Sequence, residues 1–353
     1  MPLPLWIYRV LKIKNSYLPL PFWVYLFIEV VITELYRILK IGNAYMPLPL
    51  WIYLEPTTKC NFNCVTCSRT SLSPSRLDKS LSFNDFKYII HEIPRLKRIH
   101  LQGLGEPLLT KDIWKIAQYA KAKGIKLTTT INGSLINSKN VDNLLKYFSS
   151  IGISLDSIKE ENYNKIRVGG NYRNLLENIR FLLERNKQLK TKTIISTNYV
   201  ATHLNFSELE EYLKLCLNFQ LNSNVVEVEN WYFPYQRQYK EESEFIKESR
   251  KFHKKILALI SKYKKIFEKN NLYLSYGITD KRKKTCLWPF TSCYISFDGY
   301  VTPCCVRQDP AVINFGNIFK MPFKTIWNSR KYKIFRNTMI NNLPNVVCDN
   351  CPE

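Results

Sequence analysis

The chain is 353 residues long, 45% apolar and 23% charged, which supplies enough Leu, Ile, Val and aromatic surface for a sizeable core and excludes a disordered chain. Lys and Arg number 52 and Asp and Glu 29, a net charge of +23 that draws phosphate, acidic protein or an anionic membrane surface without naming one of them. Ten cysteines are too sparse for a small disulfide scaffold, and eight of them fall in tight groups, the spacing of metal thiolates in a reducing cytoplasm.

At the N-terminus Tyr8 to Tyr25 aligns with Tyr36 to Tyr53, and Met1 to Tyr8 is identical to Met46 to Tyr53. This is a duplication of two and a half copies, too few for a solenoid. Its last copy runs into the first strand, so residues 1–45 read as an appendage. The apolar stretch Leu18 to Ile32 is broken by Pro19, Pro21 and Glu29 and falls short of the roughly 20 residues of a membrane span. Phe22, Trp23, Tyr25 and Phe27 near Lys12, Lys14, Arg37 and Lys40 suit contact with a membrane surface, but a flap packed on the protein is the preferred expectation.

Next, short β-branched runs alternate with helical windows. Strands are expected at Trp51 to Glu55, Arg98 to Gln102, Lys126 to Ile131, Gly152 to Asp156, Thr193 to Val200 and Asn224 to Val228. Helices are expected after the Ser82/Asp85 capping pair and over Thr110 to Lys123, Lys139 to Phe148, Tyr172 to Asn186 and Phe206 to Leu217. Six such units predict an α/β fold with a parallel sheet, open or a six-unit barrel, with chemistry at the C-terminal strand ends. We divide the rest into a barrel over 46–239, a basic helical connector over 240–284 and a cysteine-rich domain over 285–353. The connector's Lys281-Arg282-Lys283-Lys284 run reads as a solvated face; no recognition motif supports nucleic-acid binding.

Cys60, Cys64 and Cys67 follow the first strand with three residues and then two between them. Three thiolates can hold three irons of a cubane and leave the fourth open; with a distant fourth ligand they also suit zinc. In the C-terminal region Cys286, Cys293, Cys304, Cys305, Cys348 and Cys351 surround a hairpin of Ser292 to Phe297 and Tyr300 to Pro303 about Asp298-Gly299. Zinc is the alternative there too. Cys216 and Cys293 read as buried small residues, and His91, His100, His203 and His253 show no ligand spacing.

C-x-x-x-C-x-x-C after the first strand resembles the signature of the radical S-adenosylmethionine (SAM) superfamily, whose open iron binds SAM's amino and carboxylate groups. Gly103-Leu104-Gly105-Glu106-Pro107 is similar to the family's G-G-E-P loop for the SAM amino group, with Leu104 in place of a glycine. Thr130-Ile131-Asn132-Gly133 resembles the T-N-G turn under the nucleoside. Ser154-Leu155-Asp156 resembles the S-x-D that reaches the ribose, and Tyr163, Arg167, Gly169 and Gly170 the Y-x-x-x-R-x-G-G segment. For adenine only Asn198 stands as a candidate. The resemblance implies a partial (β/α)6 TIM-type barrel with cofactor contacts from Gly105, Glu106, Pro107, Thr130, Asn132, Ser154, Asp156 and Arg167.

Asp298 to Cys305, Gly316-Asn317-Ile318, Ile326 to Ser329 and Cys348-x-x-Cys351 resemble the SPASM or shorter twitch extension that carries further 4Fe-4S clusters. It implies one auxiliary cluster on Cys286, Cys304, Cys348 and Cys351, with Cys305 as the alternative to Cys304. The implied activity is reductive cleavage of SAM to a 5'-deoxyadenosyl radical and hydrogen abstraction from a substrate, with flavodoxin or ferredoxin as electron donor. An oxidised peptide or protein side chain is the first expectation, a small molecule, sugar or lipid the second. A zinc-stabilised nucleic-acid-binding protein is the non-enzyme alternative. No catalytic acid or base is identified.

Overall fold

The computed structural model describes residues 31, 45–227, 244–277, 286–341 and 347–348. The two earlier copies of the N-terminal duplication, the Lys281 to Lys284 run and Cys351 lie outside these residues, and with them the membrane-surface reading.

Strands β1 (Trp51–Leu54), β2 (Arg98–Leu101), β3 (Lys126–Ile131), β4 (Phe148–Ser154), β5 (Ile194–Ala201) and β6 (Asn222–Glu227) are each followed by helix. After β1 to β4 come α1 (Phe83–Glu92), α2 (Ile113–Ala122), α3 (Val141–Tyr147), α4 (Glu160–Ile166) and α5 (Tyr172–Gln188), and after β5 comes α6 (Leu209–Asn218). All six strands are parallel and lie in the order 6-5-4-3-2-1, the partial (β/α)6 arrangement. Ser82 Oγ caps α1 on the Asp85 N–H at 3.1 Å, and Gly124 ends the α2 turn with φ +70, where glycine has no steric cost.

Parallel strands covered on both faces are apolar throughout. Here Ile52, Leu54, Ile99, Leu101 and Val225 are buried against the helices, while Tyr53, His100, Asn198 and Asn224 on the other face are half-buried. Helices cover one face only; the other lines a polar interior. His100 is hydrogen-bonded to Thr128 at 2.7 Å and Gln102 at 2.6 Å, and burial pulls its pKa down to about 4, so it is neutral.

Several elements depart from the sequence expectation. Strand β4 begins at Phe148, which the expected helix absorbed, and ends before Asp156; Phe148 completes an apolar pairing with Leu127. The Phe206 to Leu217 helix is a 3-10 turn over Phe206–Glu208 running into α6. Within the basic connector the described residues form α7 (Glu244–Arg250) and α8 (His253–Lys269). A strand not foreseen, β7 (Leu274–Gly277), pairs parallel with β6.

The C-terminal region is built onto the same sheet. After α9 (Trp288–Thr291), β8 (Tyr294–Ile295) pairs parallel with β1, and β9 (Val301–Thr302) pairs antiparallel with β8. The hairpin turns at Gly299 with φ +86, as Asp298-Gly299 predicts, but its strands are shorter than expected, Tyr294–Ile295 and Val301–Thr302. Helices α10 (Phe323–Trp327) and α11 (Arg330–Ile340) follow. Trp327 Nε1 donates to Pro47 O at 2.8 Å and Met46 N to Asn328 Oδ1 at 2.7 Å, so the Trp-Asn pair clasps the third copy of the repeat.

Candidate functional site

Cys60, Cys64 and Cys67 lie in the loop beyond β1, Cys64 buried and the others half-buried. The Phe62 N–H faces Cys60 Sγ at 3.4 Å, the Arg69 N–H faces Cys67 Sγ at 3.5 Å, and Arg167 Nη1 reaches Cys64 Sγ at 3.6 Å. Donors directed at sulfur stabilise thiolate and tune a metal bound to it. Without metal, burial raises the Cys60 thiol above its ordinary value and pushes Cys67 up to about 11; ligating a metal would require both thiols to give up their protons. Tyr163, fully buried, carries a hydroxyl with no hydrogen-bond partner close enough to Cys64, Asp156 and Arg167 to feel their charges. An orphaned donor beside a thiol fits a site whose acceptor arrives with a sulfur-rich group. Among the described residues no three His, Cys, Asp or Glu converge on a single-ion site.

The cysteine loop is stitched to the loops after the next strands. Glu106 N donates to Lys59 O at 2.7 Å, and a Cβ on Gly105 would lie 2.4 Å from Thr57 O and 2.5 Å from Lys59 O, so only glycine permits the approach. Glu106, 2% exposed, accepts from Asn132 N at 2.7 Å and Leu108 N at 3.1 Å, capping the turn that Pro107 opens. Burial pushes its carboxyl up to about 7 against the pull of those N–H groups and of Arg167. Asn132 Nδ2 donates to Asn61 Oδ1 at 2.9 Å, and Asn61 Nδ2 to Ser134 Oγ at 2.9 Å. On the far side Asn63 N donates to Val168 O at 2.8 Å and Val65 N to Ile166 O at 3.0 Å.

Asp156 is fully buried. Its Oδ2 takes Arg167 Nε at 2.5 Å and its Oδ1 takes Val200 N at 2.7 Å, so contact with a ribose would fall on its remaining lone pairs. Burial opposes the Arg167 charge, but Asp156 and Cys64 hold it firmly protonated. Thr130 Oγ1 takes Asn198 Nδ2 at 3.4 Å, which places Asn198 in the polar interior, and Ser154 stands beside Asn198 in the sheet register.

Sequence reasoning missed Glu55 and Arg76. Glu55, 1% exposed, accepts from Leu104 N at 3.1 Å and Phe297 N at 3.4 Å, and Arg76 lies 3.8 Å from it while pairing with Asp298. Arg76 also stacks over Phe297 at 5.0 Å. Together they join the G-E-P loop to the C-terminal hairpin. A charged residue at a strand end reads as solvated, and only the contact across 242 residues reveals the joint. In the second cysteine group Cys293 is fully buried and Cys304 nearly so, while Cys286, Cys305 and Cys348 are half-buried; Cys351 lies outside the described residues.

Comparison with known proteins matches residues 54–216 to the radical SAM superfamily and 286–352 to the SPASM iron-sulfur cluster-binding domain. A probable GTP 3',8-cyclase of Methanocaldococcus jannaschii is 24% identical over 271 residues, 72% of this chain and 85% of the relative. An AdoMet-dependent heme synthase of Oleidesulfovibrio alaskensis is 23% identical over 310 residues, 79% of this chain and 74% of the relative. In three dimensions the chain is similar to SuiB of Streptococcus suis, solved with its precursor peptide SuiA, with a TM-score of 0.63 and 17% identity over 84% of this chain and 68% of that one. With the fold, the cysteine loop and both domain matches in agreement, the chain belongs to the radical SAM superfamily, an enzyme with a C-terminal SPASM domain and with 4Fe-4S clusters and SAM as its cofactors.

Proposed function

We propose that Cys60, Cys64 and Cys67 hold three irons of the SAM-binding cluster and that Gly105, Glu106, Pro107 and Asn132 shape the pocket for the SAM methionine. Thr130, Ser154, Asp156 and Arg167 complete it on the nucleoside side. Cys286, Cys304, Cys348 and Cys351 hold the auxiliary cluster, with Cys305 the alternative to Cys304, and the division at 45, 239 and 284 separates appendage, barrel, connector and cluster domain. One observation carries this reading: the Asn61 to Asn132 hydrogen bond and the two-way anchoring of Glu106 on Lys59 and Asn132 lock the motifs after β1, β2 and β3 into one unit.

When bound, cluster and SAM supply one-electron cleavage to methionine and a 5'-deoxyadenosyl radical that takes a hydrogen atom from the substrate. The chain's part is to hold and orient. Arg167, fixed by Asp156, places a permanent cation beside Cys64. Glu106, near half-protonation at neutral pH, sets the spacing between the cysteine loop and the Asn132 turn. Neutral His100 and the Asn198 and Asn224 amides line the interior without a carboxylate from β2 to β6 in the described inward positions.

For the substrate we favour oxidative modification of a peptide or protein side chain, supported by the SPASM domain and by the fold shared with peptide-bound SuiB. The cyclase and heme synthase relatives favour a small molecule as the second reading. A flavodoxin or ferredoxin is the proposed electron donor. Among the described residues no helix is long and apolar enough to cross a membrane. The test is 5'-deoxyadenosine release from SAM under reduction: stimulation by peptide supports the first reading, stimulation by GTP or a porphyrin the second, and release by Cys64→Ala contradicts the cluster assignment.

A further inference from the structure

Between β2 and β7 the inward-facing side chains form a belt of hydrogen-bonding groups. His100 Nδ1 pairs with Thr128 Oγ1 at 2.7 Å and its Nε2 with the Gln102 carbonyl oxygen at 2.6 Å. Beyond this the contacts lengthen. His100 Nε2 to Thr130 Oγ1, Asn198 Nδ2 to Thr130 Oγ1 and Asn224 Nδ2 to Asn198 Oδ1 are each 3.4 Å, against about 2.9 Å for a well-made bond. On β7, at the edge of the sheet, Ser275 Oγ donates to Asn224 Oδ1 at 2.5 Å.

The amides of this belt are underused. The Gln102 carbonyl faces the imidazole, so among the described residues its N–H donors are left over, and Asn198 and Asn224 each give one N–H to a long contact and keep the other. All three side chains are half-buried, within reach of a guest. Gly152 stands beside Thr130 in the sheet, and a Cβ there would come 2.6 Å from Asn198 Nδ2 and 3.2 Å from Thr130 Oγ1. Glycine inside a strand weakens it and marks a close approach; this one keeps the loosest part of the belt clear.

The belt is also uncharged. From His100 towards the C-terminal strand ends, the described inward positions of β2 to β7 hold hydroxyls, amides, glycine and aliphatic groups and no Lys, Arg, Asp or Glu; Arg98 and Lys126 open their strands at the opposite end. Tyr53 flanks the belt, its ring 4.5 Å from His100 and 4.9 Å from Trp288. A charged group entering here gives up its hydration with no counter-ion to meet it, whereas a carboxamide exchanges water for the unspent N–H groups and lone pairs.

We propose that Gln102, Asn198 and Asn224 form the specificity surface of the substrate site, which admits an uncharged, amide-bearing group and turns away carboxylates, phosphates and ammonium groups. The inference rests on the proposed radical chemistry, since Gln102 directly precedes the Gly103 to Pro107 loop assigned to SAM. It deepens the peptide reading: the group that enters the interior is a neutral carboxamide side chain or a peptide bond.

The experiment is 5'-deoxyadenosine release by the full chain, reconstituted without oxygen and reduced with dithionite, for wild type and Asn224→Asp. The probes are acetyl-Ala-Asn-Ala-amide, its Asp and Lys counterparts, and guanosine, whose base carries an uncharged amide edge; each rate is divided by the same protein's probe-free rate. In wild type the Asn peptide stimulates release about tenfold more than the Asp or Lys peptide. Asn224→Asp, which sets a carboxylate in the belt, moves the preference to the Lys peptide by a similar factor. If that variant does not fold, Gln102→Glu carries the same expectation. Equal or greater stimulation by the Asp or Lys peptide in wild type overturns the proposal, as does a preference unchanged in both variants or no response to any neutral probe. Stimulation by guanosine and by no peptide supports the uncharged surface and overturns only the peptide reading. Wild type that releases no 5'-deoxyadenosine with or without probes overturns the radical reading together with this one.

Discussion

The two cysteine groups are laid out differently along the chain. In the first, three thiols within eight residues are positioned by backbone: N–H groups point at two of the sulfurs, and the loop is laced to the segments after β2, β3 and α4. In the second, the cysteines are spread along the chain from Cys286 to Cys351, in a region whose described residues pack around an aromatic cluster of Phe315, Trp327 and Tyr332. A site built on local backbone shows in the sequence as a motif. One spread along the chain shows as several short motifs whose meeting the sequence does not display.

Breaking the first site should therefore be local and complete. Cys64→Ala removes the only one of its three thiols that contacts Arg167 and abolishes 5'-deoxyadenosine formation, read by chromatography after reduction with SAM, while the fold measured by circular dichroism persists. Gly105→Ala sets a methyl against two backbone carbonyls that cannot yield. Its expected cost is about 3 kcal/mol in denaturant unfolding, with loss of iron from the first group before the second.

The joint between the two regions comes next. Arg76→Met breaks the Glu55 and Asp298 pairs. We expect about 3 kcal/mol, the low end for a broken buried pair, because burial already raises Glu55 toward its neutral form. Hydrogen exchange should rise at 294–302 and spare α2, whereas uniform exchange across the chain would mean that the joint does not couple the regions.

Glu106 sharpens the comparison through pH. Its folded pKa of about 7 stands above its ordinary 4.5, so the native state binds the proton more tightly. Its favourable contribution is full below pH 4.5 and is lost as pH rises through 7. Relative to Glu106→Gln, wild type should lose about 3 kcal/mol over that range; parallel stability curves for the two proteins would refute the shift. The smallest effect belongs to Tyr163→Phe, which removes an orphaned hydroxyl and should change the stability of the metal-free chain by less than about 1 kcal/mol, yet alter the resonance spectrum of the SAM-binding cluster.

Much of the barrel was legible because period and punctuation agree: Ser82 with Asp85, Gly124 and the β-branched runs fixed element after element within a few residues. Phe148 was misplaced because an apolar residue after a helix continues the helical period, and only its pairing with Leu127 decides otherwise. β7 was missed because its four residues, Leu-Ser-Tyr-Gly, carry little pattern. In the site, the motifs marked the loops but not their interior: that Asp156 is spent on Arg167 and Val200, and Glu106 on two N–H groups, follows from folding alone.

The central claim is that the two cysteine groups, one compact and one spread along the chain, each carry a cubane cluster. Iron, acid-labile sulfide and zinc per chain, measured on the full chain reconstituted without oxygen, test it most directly. The account predicts about eight irons and eight sulfides; one or two zincs with no sulfide would contradict it.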